Sequence, residues 1–138
     1  MSVESQYLAQ HRLRFWWLWW ALGWAMLAGT VNDSLERHPP HFTEFFYSDK
    51  LMHFTGYFLL GTWFAGLVDR RRYLMTAALL IAFSGVIEIA QGLMHWGRQA
   101  EWLDFLANTL GVSTSFAIAY AGLGMWMIWI ERLLRLQK

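Results

Sequence analysis

The chain has no cysteine, so a disulfide framework, a thiolate metal site and a thiol nucleophile are all excluded. Proline is nearly absent as well. The two that exist stand together at Pro39-Pro40 and forbid a helix running through that point. Charge is the third scarcity. Asp, Glu, Lys and Arg make up 15% of the residues, against about 25% in soluble domains, and the deficit points to lipid as the solvent. The formal net charge is +1, which gives no ground for a nucleic-acid partner, and none is assigned. No small-residue cleavage site follows the first apolar run, so that run reads as a retained anchor and not a signal peptide.

What the sequence holds instead is hydrocarbon and indole: 57% hydrophobic residues, with ten Trp. Four stretches approach or exceed the length needed to cross an ~30 Å hydrocarbon core. They are 15–31, 49–68, 73–93 and 102–130. Trp16, Trp17, Trp19 and Trp20 open the first and read as a belt at the lipid–water boundary. Asn32, Asp33 and Ser34 break the pattern and start a loop over 32–48, in which His38 and His41 are too few to make a metal site. Asp49 is expected to cap the second span. Asp69-Arg70-Arg71-Arg72 forms a tight connection to the third, and 94–100 a short loop to the fourth. That last stretch is longer than a bilayer requires, so it must tilt, bend near Gly122 and Gly124, or project.

Lys and Arg fix the orientation. Arg12, Arg14, Arg70, Arg71, Arg72, Arg132, Arg135 and Lys138 lie on one side, and Arg37, Lys50 and Arg98 on the other. The positive-inside rule places the first group in the cytoplasm. The expected fold is therefore an all-α membrane protein, a four-transmembrane-helix bundle with both termini cytoplasmic. It forms one domain over 15–131, between a cytoplasmic segment 1–14 and a basic tail 132–138.

Within this apolar background, Glu88 stands where hydrocarbon is expected. A charged side chain at the bilayer centre costs about 2.5–3.5 kcal/mol on insertion scales and normally faces protein or a water-filled cavity. Gln91 at i+3 and His95 at i+7 share its helical face. The second span presents Asp49, His53 and Tyr57 at i+4 steps, with Lys50 adjacent, and the fourth presents Glu101, Asp104 and Asn108 at i, i+3 and i+7. Helical rise puts Glu88 ~24 Å and His53 ~25 Å above the Arg70–Arg72 turn. Three polar stripes thus reach the outer end, and the expectation is a concave, outward-facing polar pocket. A purely structural account is a single salt-bridged cluster tying Glu88 to Lys50, His53 or Arg98.

Taken together, Asp49-Lys50-x-x-His53-Phe54-x-x-Tyr57-x-x-Leu60-Gly61, then Glu88-x-x-Gln91, Gly97-Arg98 and Asp104-x-x-Ala107-Asn108-Thr109-Leu110-Gly111, closely resemble the VanZ-like family. These are small bacterial integral membrane proteins named for a resistance determinant linked to teicoplanin. The resemblance spans three of the four helices. Val112-Ser113-Thr114-Ser115 departs from it where family members often carry a further glycine, and the first span has no family signature.

The resemblance implies a multi-pass protein of the bacterial cytoplasmic membrane that acts on or binds a lipid-linked cell-envelope component or a glycopeptide-type antibiotic. The family pattern falls on Asp49, Lys50, His53, Glu88, Gln91, Arg98, Asp104 and Asn108, with Glu101 outside it. Read chemically, His53, Glu88 and Asp104 would carry any proton transfer. Asp49, Lys50, Gln91, Arg98 and Asn108 would bind substrate, with Lys50 and Arg98 on an anionic phospholipid or polyprenyl-phosphate headgroup. No cofactor is assigned, and no metal. A metal-dependent variant would use His53, Glu88 and Asp104 as ligands. Enzyme, non-enzymatic headgroup binder or regulator, proton-coupled transporter and scaffold all stay open, as does an oligomer.

Overall fold

The structure, a computed structural model, describes residues 13–35, 46–94 and 101–136. Arg37, His38, His41, His95 and Arg98 lie outside the described residues. Five α-helices are present among those described, and no strand: α1 Trp16–Ser34, α2 Phe46–Leu67, α3 Tyr73–Met94, α4 Trp102–Tyr120 and α5 Trp126–Leu136. Helical turns at Arg70–Arg72 and Leu123–Met125 lead into α3 and α5. The all-helical expectation holds. One helical stretch, Arg70–Met94, is by itself long and apolar enough to cross a membrane, with a mean hydropathy of 1.9 over its best window. α4 and α5 pass the same test only as a bent pair.

Three boundaries differ from the sequence reading. Asn32, Asp33 and Ser34 do not break α1 but form its last turn, where polar side chains can reach solvent beside carbonyls that lack helical partners. Asp49 does not cap α2, because that helix starts at Phe46 and takes Asp49 into its first turn. The stretch 102–130 is not one helix: it breaks after Tyr120, and the chain leaves at 92°. Gly122 makes the corner with φ +124°, a left-handed conformation that side chains disfavour, so a glycine belongs at this position. The bend foreseen near Gly122 and Gly124 is therefore a right angle.

Helix ends pair in alternation. The Arg70 guanidinium stacks over the Tyr120 ring at 3.7 Å, which joins the start of α3 to the end of α4. Glu131 of α5 reaches the start of α1: its carboxylate accepts from the backbone N–H of Arg14 at 2.6 Å and of Phe15 at 2.9 Å, and from the Trp19 indole at 2.9 Å. At the opposite end, the Gln91 amide of α3 donates to the Ser34 carbonyl of α1 at 2.7 Å. Asp69 caps the turn between α2 and α3 by accepting from Arg71 N–H at 3.3 Å.

Between these ends the closest packing is α2 against α4. A Cβ on Gly111 would meet the Phe54 carbonyl and the Phe58 amide of α2, so the two backbones approach as closely as small residues allow. Leu60, Phe64, Val112, Phe116 and Met127 fill the core beneath that contact. Trp19, expected at the lipid boundary, instead packs with Trp63 and Trp126, with ring centroids 5.5–5.9 Å apart. Trp16 and Trp17 do point outward.

Candidate functional site

The first turns of α2 and α4 lie side by side, and their acidic residues suit the positive end of each helix dipole. Four side chains set the geometry. Lys50 Nζ donates to Asp49 Oδ2 at 3.0 Å, to Glu101 Oε2 at 2.7 Å and to Asp104 Oδ1. His53, one turn beyond Asp49, stands at the back of this group: its Nε2 is 3.9 Å from Asp49 Oδ1 and 3.7 Å from Asp104 Oδ2. Its other nitrogen, Nδ1, is 3.1 Å from Asn108 Oδ1. The spacings i+4 on α2 and i+3, i+7 on α4 bring these groups to one interface.

Asp104 and Asn108 are buried, whereas the Asp49 and Glu101 side chains remain 47% and 48% exposed. The cluster therefore opens at its Asp49–Glu101 edge and closes at Asn108. Three carboxylates face one ammonium, so with a neutral imidazole the group carries two formal negative charges in excess. A partly buried ion cluster of this kind is costly to assemble, and stability alone is a weak reason for it.

Of the residues singled out in the sequence, Asp49, Lys50, His53, Asp104 and Asn108 come together here, and Glu101, outside the family pattern, joins them. Glu88 is buried in α3 within electrostatic reach of the Tyr57 hydroxyl. Tyr57 itself is buried one turn past His53, ~6 Å further along α2. Its hydroxyl has no hydrogen-bond partner among the described residues. Gln91 is also buried but bonds to α1, so it serves a helix junction.

Sequence reasoning overlooked Glu131, which is 3% exposed. Met127, Ile128 and Glu131 share one face of α5, and the packing of the first two in the core carries Glu131 inward.

Searches of family models, of curated proteins and of solved structures return no match for this chain, so the resemblance to the VanZ-like family rests on the motif residues alone.

Proposed function

We propose that the chain is a four-span protein of the bacterial cytoplasmic membrane with both termini cytoplasmic. Its Asp49–Lys50–Glu101–Asp104 cluster, in this reading, opens to the outer leaflet and binds the headgroup of a lipid-linked envelope component. The lengths of α1 to α4 support it, since 19 to 22 residues span about 28–33 Å, one hydrocarbon thickness. So does the surface. Leu74, Leu79, Val86, Ile89 and Leu93 along α3, Leu51, Met52 and Leu59 on α2, and Trp102 and Leu110 on α4 are all more than half exposed. Continuous apolar surface of that extent marks a membrane or partner face. The bent end then has a natural place: Trp129, Ile130 and Leu133 are exposed on α5 while Glu131 is buried, so α5 lies flat at the cytoplasmic interface with its apolar side chains toward lipid.

The observation that carries the ligand class is the half-exposed pair Asp49 and Glu101. Both are acceptors, and Lys50 is already ringed by carboxylates. The groups they recognise are hydrogen-bond donors, the hydroxyls and amines of a sugar or peptide headgroup, which a glycopeptide antibiotic also presents. Binding, rather than turnover, is the activity that this arrangement supports best.

The chain's lack of cysteine makes the topology directly testable. A Trp102→Cys variant is expected to react with a membrane-impermeant maleimide in intact cells, and Arg71→Cys only after permeabilisation. The reverse pattern sinks the proposal. In parallel, native mass spectrometry of the purified chain should find a saccharide- or peptide-bearing lipid whose occupancy falls at least tenfold in Asp49→Asn/Glu101→Gln.

A further inference from the structure

We infer that Asp49, His53 and Asp104 form a binding site for a divalent transition-metal ion of the zinc class. The inference goes beyond the membrane reading, since it needs only three side chains on two helices. Their donor atoms lie within 4.8 Å of one another. His53 Nε2 is 3.9 Å from Asp49 Oδ1 and 3.7 Å from Asp104 Oδ2. These separations exceed a hydrogen bond. They approach the roughly 3.3–3.6 Å expected between two donors that share a tetrahedral ion at 2.0–2.2 Å.

The supporting contacts have the division of labour that metal sites use. Each aspartate gives one oxygen to Lys50, Oδ2 of Asp49 and Oδ1 of Asp104, and turns the other toward His53. Lys50 thus holds both carboxylates without occupying the point where the three donors converge. The Asn108 amide oxygen can only accept, so His53 Nδ1 carries the proton, and in the neutral ring Nε2 is left as a lone pair facing two anionic oxygens. An amide-oriented imidazole of this kind is the outer-shell arrangement of a metal-bound histidine. A proton at Nε2 would be too far from either oxygen to bond it well, whereas an ion that draws the three donors slightly together would bind all of them.

Charge agrees. The two formal negative charges left by three carboxylates and one ammonium are cancelled by one dication. An imidazole with two carboxylates favours zinc or manganese over calcium. The half-exposed Asp49 edge supplies an entry path. Three protein ligands leave a tetrahedral ion one further coordination position.

The test uses the full chain in detergent, stripped with chelator and titrated with ZnCl₂ by calorimetry, with CoCl₂ as a spectroscopic stand-in. The expected result is one Zn²⁺ per chain, a raised Tm, and tetrahedral cobalt bands in the visible. His53→Gln and Asp104→Asn should each weaken binding at least about 100-fold, and Asn108→Leu about tenfold, the usual range for an outer-shell partner. Glu131→Gln, at the far end of the molecule, should leave binding unchanged. Circular dichroism, together with the gentler Asp49→Asn variant, separates loss of ligand from loss of fold. Folded wild-type protein that shows no saturable uptake overturns the inference. So does uptake that survives His53→Gln and disappears when His38, His41 or His95 is replaced.

Discussion

The two ends of the bundle use charge in opposite ways. At the end where α1 begins, α3 begins and α4 stops, the charged groups Glu131, Asp69 and Arg70 are spent on backbone or ring. Glu131 holds two amides and an indole, Asp69 caps a turn, and Arg70 lies on Tyr120. The Trp63 and Trp126 indoles beside them donate to the carbonyls of Trp19 and Thr62, each at 3.1 Å. At the other end, carboxylates outnumber the ammonium they surround, and the second oxygens of Asp49 and Asp104 face the His53 imidazole. The first end is a fastening. The second carries more charge than fastening requires, and that excess is the ground on which we propose it as a site.

Replacing the central cation tests that contrast most severely. Lys50→Met should destabilise the protein by about 3 kcal/mol, because three carboxylates lose their shared partner. Adding Asp104→Asn should recover part of the loss. Thermal unfolding of both variants checks this, and a Lys50→Met protein as stable as the parent would make the cluster mere surface charge.

At the fastening end, Glu131→Ala should cost about 2 kcal/mol by stranding three donors on a charged acceptor's vacated side. Zn²⁺ uptake should not change, and a denaturant titration read beside calorimetry keeps the two ends apart. The smallest effect belongs to Arg70→Leu, which removes a ring contact worth about 0.5–1 kcal/mol at an exposed site. A larger loss there would show that the turn before α3 carries more of the fold than its contacts indicate.

Much of the cluster was legible because helical periodicity decides which residues share a face. Asp49 with His53, and Asp104 with Asn108, follow from spacings of four alone. Periodicity does not say which neighbour a face will meet. Gln91 shares a stripe with Glu88, yet it bonds to Ser34, a residue that read as loop. Glu101 falls outside the family pattern, and a spacing of three puts it on the face of Asp104. Glu131 was hidden for a different reason: its partners are 112 to 117 residues away, and a carboxylate beside a basic tail looks solvated. The place of the bend could be read from Gly122, but its angle could not, because a positive φ is set by the packing on both sides of the turn.

Glu131 is synthesised long after the amides it receives. Until α5 emerges from the ribosome, the leading turn of α1 lacks the Glu131 carboxylate that closes it, which lies 112 to 117 residues further along the chain. Forming the first turn of α1 and locking it are thereby separate events in the life of the chain.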